Sequence, residues 1–118
     1  MSKAPTTQMS LRHLRELGYI CEVVEKWVPS PHHGRNVKTD LFGFIDILAV
    51  GHGHTLGVQT TTKGEVAKRI RKIQDSEHLS TLAAAGWLVT VHGWWQPNGP
   101  RTRWELVEAS LTYKGMMV

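Results

Sequence analysis

The stretch from Asp40 to Thr61 constrains the fold more than any other part of the chain. Its first half is an almost unbroken apolar run, Leu41 to Val50, interrupted only by Gly43 and Asp46. Gly51-His52-Gly53-His54 follows at once, and Thr55 to Thr61 returns as a second β-prone run. Two such runs across a short glycine turn predict an antiparallel hairpin, with strands over 40–50 and 55–61. Side chains alternate between faces along a strand, so Gln59 and Thr61 share one face, and the pairing brings Asp46 near position 59. A carboxylate between Ile45 and Ile47 is costly to bury unless it is paired, hydrogen-bonded or bound to a cation. An aspartate that caps a turn or pairs with a basic side chain satisfies the same pattern, and spacing alone leaves both readings open. Asp40, six residues earlier, lies on the same strand face if no bulge intervenes at Gly43; strand-entry capping is its simpler role.

The flanking segments predict the rest of an α/β domain. Met9, Leu11, Leu14 and Leu17 give a partial helical stripe over 8–17, with Gly18 as its stop. Residues 1–7 are polar and read as a loose terminus. A strand is expected over 19–28 and a loop over 29–39, where two prolines and paired histidines interrupt the pattern. Val66, Ile70 and Ile73 fall at i, i+4 and i+7 of a helix over 65–85, with a restart near Asp75 or Ser76. Strands follow over 87–95 and 103–111, around a Pro-Asn-Gly-Pro turn. The expected architecture is one domain over 1–118: a central mixed sheet of about five strands flanked by helices, in the order α-β-β-β-α-β-β.

Composition narrows the function classes. With 118 residues the chain can bury a core without disulfides, and its single cysteine, Cys21, excludes an intrachain one and reads as a small buried filler. No apolar stretch approaches the ~20 residues of a membrane helix, and the polar first residues do not read as an export signal, so no membrane partner and a cytoplasmic location are expected. The histidines complete no zinc-ligand set with cysteine or carboxylate at familiar spacing. Trp94-Trp95 suits core or dimer packing better than stacking on bases, because strand alternation sends one inward. The net charge of +4 suits a polyanion. Lys68, Arg69, Arg71 and Lys72 concentrate that charge on one predicted helix, as phosphate contacts or as a solvated basic face.

An acidic residue on one strand, a hairpin, and an acidic-x-Lys triplet on the next strand is the signature of the PD-(D/E)xK nuclease superfamily. "DLFGFIDILAV", "LGVQTTT" and "AKRIRKI" resemble a group of small phage and bacterial nuclease-like proteins of that kind, in which the triplet tends to read Gln-x-Thr. The resemblance spans 18–95. It implies a restriction-endonuclease-like core, similar to Holliday junction resolvases, and a metal-dependent DNA endonuclease that is structure-selective. The implied cofactor is magnesium, with manganese as the alternative; the implied partner is DNA, with a homodimer as a candidate assembly.

By the same resemblance Asp46 stands at the metal-binding aspartate, Gln59 where a second carboxylate is usual, and Thr61 where the catalytic lysine is usual. A neutral amide at 59 removes one negative charge from the cation site, and a hydroxyl at 61 cannot offset charge on a phosphate. Lys63, Lys38 or Arg69 are the candidate replacements for the cation, and Glu25 or Glu22 for the carboxylate. A catalytically impaired nucleic-acid-binding protein, or a phage structural protein on the same scaffold, are the competing expectations.

Overall fold

The computed structural model describes residues 5–30, 32 and 34–111. Helix α1 (Pro5–Glu16) precedes β1 (Ile20–Val23), β2 (Lys26–Ser30), β3 (Arg35–Thr39), β4 (Ile47–Gly51) and β5 (His54–Thr62). A 3-10 turn (Lys63–Glu65) leads into α2 (Val66–Gln74), followed by α3 (Leu79–Ala84), β6 (Trp87–Trp95) and β7 (Glu105–Leu111). The main sheet has the order β1-β4-β5-β6-β7, while β2 and β3 pair only with each other. β5 and β6 run parallel, joined through α2 and α3, and the other pairs are antiparallel. The expected five-stranded mixed sheet flanked by helices is therefore present, with a separate β2–β3 hairpin inserted and the long helix divided in two.

Two cores lie on opposite faces of this sheet. Leu11 and Leu14 of α1 pack with Cys21, Ile47, Ala49 and Val58. Ile73 of α2 and Leu79 and Leu82 of α3 pack with Phe44, Ile45, Val89 and Val91. Ile45 and Ile47 are two residues apart, yet they belong to different cores, which strict alternation forbids. The reason is a bulge: Ile47 pairs with Val58, and the Asp46 N–H also bonds the Val58 carbonyl (2.9 Å), so two residues oppose one.

Several expectations need correction. The strand expected over 40–50 begins only at Ile47. Leu41 and Ile45 exchange backbone bonds of 3.0 and 2.9 Å across a tight turn, in which Phe42 (φ 55°) and Gly43 (φ 87°) take left-handed conformations that a strand cannot contain. The strand expected over 19–28 is two strands, broken at Val24 and Glu25, and the loop over 29–39 supplies β3. Helix α1 starts at Pro5, a residue suited to a first helical turn, so 5–7 are not loose; residues 1–4 lie outside the described residues. Leu17, expected in the helical stripe, is exposed, and Ser10 lies on the buried face of the helix.

Ser10 explains how polar groups survive between α1 and the sheet. Its hydroxyl accepts a hydrogen from Trp94 Nε1 (2.8 Å) and lies 2.8 Å from His92 Nδ1. His92 Nε2 lies 3.3 Å from a Glu108 carboxylate oxygen, in an ionic contact that is not an aligned hydrogen bond. Burial lowers the His92 pKa to about 4, against the pull of the Glu108 charge. Ser10 and His92 are both fully buried, so the trio orders the core. Ser10→Ala leaves the indole N–H unmet and should cost about 1–3 kcal/mol. It would be read as a lower urea midpoint at unchanged slope.

Candidate metal centre

The corrections to the fold are what build the site. A straight strand would hold Asp40 and Asp46 about 20 Å apart at ~3.3 Å per residue. The Leu41–Ile45 turn folds the chain back on itself instead. Asp40 immediately follows β3 and Glu25 immediately precedes β2, so closing that hairpin (Lys26 opposite Thr39) brings Glu25 and Asp40 together at its base. The bulge supplies Asp46, and the Val24 N–H bonds the Asp46 carbonyl at 2.8 Å, tying the end of β1 to the same place. Carboxylate oxygens of Glu25, Asp40 and Asp46 all lie within 4.8 Å of one another.

Asp46 is 5% exposed. Its Oδ2 accepts a hydrogen bond from the Thr60 N–H at 2.8 Å, with longer contacts of 3.4 Å from Gln59 Nε2 and Thr60 Oγ1. Burial pushes its pKa up to about 6; the Thr60 N–H opposes this, while the bond and charge of Asp40 add to it. The carboxyl is thus short of positive charge. Both oxygens of the Glu25 side chain, which is 3% exposed, and Oε1 of buried Gln59 have no hydrogen-bond partner among the described residues. Lys38 Nζ lies 3.3 Å from Glu25 Oε2, but the geometry is that of an ionic contact and not of an aligned hydrogen bond. Buried oxygens without a hydrogen-bond partner beside two further carboxylates have the chemistry of a hard divalent cation site.

The remaining candidate residues divide. Gln59 meets Asp46 as expected from the hairpin, whose register is set by the two-residue turn at His52 and Gly53. Thr61 is buried and pairs with Gly93 of β6. Lys63 places its ammonium 3.5 Å over the Trp95 ring, beside Gln96, Gly99 and Pro100 of the loop after β6. Lys38 alone among the candidate lysines has a described contact with the cluster. Glu22 is exposed on β1 and paired opposite Leu48. On α2, Lys68, Arg71 and Lys72 are exposed and Arg69 is half-buried; Lys68 makes a loose 4.0 Å contact with Glu65. That helix is seated by Val66, Ile70 and Ile73 against the core containing Val24, Leu41 and Ile45, the neighbours of the three carboxylates. Gly93 permits this approach, since a Cβ there would lie 2.3 Å from Val66 Cγ2.

Among solved structures, the chain is similar to a resolvase. This is Hjc of Archaeoglobus fulgidus, a Holliday junction resolvase from an archaeal hyperthermophile, at 15% identity and a TM-score of 0.49, over 86% of this chain and 67% of that one. No protein-family model matches the sequence, and no curated protein matches it. Among the described residues no helix is long and apolar enough to cross a membrane.

Sequence reasoning gave Asp46, Gln59 and Glu25 as ligands and treated Asp40 as a cap. The cluster joins Asp40 to them. An acidic residue at each end of a β-prone pair, Glu25 before Lys-Trp-Val and Asp40 after Asn-Val-Lys-Thr, was the available signal.

Proposed function

We propose that this chain is a metal-dependent deoxyribonuclease in which Glu25, Asp40 and Asp46 hold a divalent cation, magnesium or manganese, with Gln59 Oε1 as a neutral ligand. The convergence of buried Glu25 and Gln59 oxygens that lack a hydrogen-bond partner on two further carboxylates, with Lys38 the one cation in described contact, carries this reading. The cation would polarise a phosphodiester oxygen and lower the pKa of a nucleophilic water.

The chain's own residues then divide the work. Asp46 orients the site through its bond to the Thr60 backbone. Lys38, held by Glu25, takes the place of the motif lysine that Thr61 cannot replace, and offsets charge on the phosphate. Lys68, Arg71 and Lys72, with Arg69 beside them, bind flanking phosphates. Segment 26–39 contains three lysines or arginines, Lys26, Arg35 and Lys38, and no acidic residue. The β2–β3 ribbon is therefore a cationic arm rooted on the site.

The test is cleavage of supercoiled, linear, single-stranded and branched DNA with magnesium, with manganese, or with EDTA. Cleavage should require the cation, vanish in Asp46→Asn, and fall roughly ten- to a hundredfold in Lys38→Met. Cleavage that persists in EDTA or in Asp46→Asn would overturn the reading. The second reading, a nucleic-acid-binding protein without catalysis, is favoured by Thr61 at the lysine position. It predicts binding that weakens with salt, and no product in any buffer.

A further inference from the structure

Beyond the carboxylates, the C-terminal ends of β5 and β6 open on a groove of about 450 Å³ lined by Lys63, Trp95, Gln96, Pro100 and Trp104 among others. Its size is that of a small-ligand site. Trp104 is 36% exposed and Trp95 half-buried, so two indoles reach one cleft, while Trp94 turns inward to Ser10. Lys63 lies 3.5 Å over the Trp95 ring, and an ammonium on a ring face keeps N–H donors free for a phosphate. No acidic residue lines the groove; Arg101 and Arg103 precede Trp104, and Glu105, opposite Trp95 on β7, follows it.

The wall carrying Trp104 is preformed. Gln96 Nε2 donates to the Thr102 carbonyl at 2.7 Å, and the Thr102 hydroxyl donates to the Gly99 carbonyl at 2.5 Å. These bonds hold Arg101 at φ 65°, a left-handed conformation a free arginine avoids. Flat rings beside a cation, with no carboxylate in the lining, suit a ligand that is aromatic and anionic at once. A nucleotide with its base unpaired has that chemistry; a base inside a duplex offers no free face.

We infer that this groove is a stacking subsite for an unpaired nucleotide, the base lying on Trp104 and a phosphate on Lys63. Lys63 is four residues beyond Gln59 on the same chain, about 13 Å along the strand direction. That distance equals roughly four nucleotides at the ~3.4 Å rise of a DNA strand. The subsite would therefore favour strands that are open a few nucleotides from the cleaved bond. This rests on the nucleic-acid reading but not on catalysis.

The experiment measures binding in EDTA, where no cleavage can occur. An oligothymidylate of about eight nucleotides and a blunt duplex are titrated against the full chain and against Trp104→Ala, Trp104→Phe and Lys63→Gln, each checked for an unchanged thermal melt. Trp104→Ala should weaken the single strand about five- to a hundredfold, the range of one lost stack. It should leave the duplex within about twofold. Trp104→Phe should recover most of the loss, and Lys63→Gln should lower the salt slope by about one. If Trp104→Ala melts early, Trp104→Phe and Lys63→Gln carry the test with the Trp104 indole N–H shift on adding the oligonucleotide. No single-strand binding, equal losses on both DNAs, or a groove that instead mediates self-association with unchanged oligonucleotide affinity would each overturn the proposal. A Trp104 effect without metal-dependent cleavage by the wild type would sink the nuclease reading alone.

Discussion

In buffer without divalent cations at pH 7.5, Asp46→Asn is expected to be more stable than the wild type by roughly 2–3 kcal/mol. An asparagine oxygen can still accept from the Thr60 N–H, so the change removes a buried charge while keeping its main bond. The sign follows from linkage. The folded chain holds a proton on Asp46 up to about pH 6, against a usual value of 3.8, so stability falls as pH rises between them and stays lower above. His92 acts in the opposite direction. Its folded pKa of about 4 lies below the ordinary 6.5, so its stability is complete above pH 6.5 and is lost as pH falls toward 4. The two slopes oppose each other in the wild type. Urea titrations across this range should show a shallow profile for the wild type and a steep acid loss in Asp46→Asn. A less stable Asp46→Asn at pH 7.5 would contradict the electrostatic account. A site that destabilises its own fold until a ligand arrives is what function at that site predicts.

The second large effect is the converse. Saturating magnesium or manganese should stabilise the wild type, by about 2.7 kcal/mol at a hundredfold excess over Kd. The gain should shrink below about pH 6, where protons compete for Asp46. Glu25→Gln and Asp40→Asn should each weaken the response, and Asp46→Asn should abolish it. Sodium chloride at matched ionic strength serves as the control, since a general salt effect would stabilise all four proteins alike. Equal shifts in wild type and Asp46→Asn would contradict a site at these carboxylates.

How much of this was legible in the sequence depended on how local the controlling geometry was. The Asp46–Gln59 meeting followed from a two-residue turn, because register in a tight hairpin is set within a few residues. The buried stripe of α2 likewise followed from its own spacing. The turn over Leu41–Ile45 was hidden by its composition. Phe44 and Ile45 are apolar because they fill the core beneath α2 and α3, and an apolar run reads as strand whether or not it bends. The bulge at Asp46 was hidden for a related reason, since Ile45 and Ile47 look like one face until two separate cores claim them. Segment 29–39 read as loop because Pro29 and Pro31 are poor strand residues, yet an exposed two-stranded ribbon tolerates proline at its edges. Each of these three misses moved a carboxylate. Together they separate a pair of candidate residues on a hairpin from a three-carboxylate site.

Anomalous diffraction from crystals grown in manganese tests the central claim most directly. The account predicts one strong peak within coordination distance of Glu25, Asp40 and Asp46 in the wild type, and none there in Asp46→Asn. A peak elsewhere, or no peak among these carboxylates at saturating manganese, would contradict it.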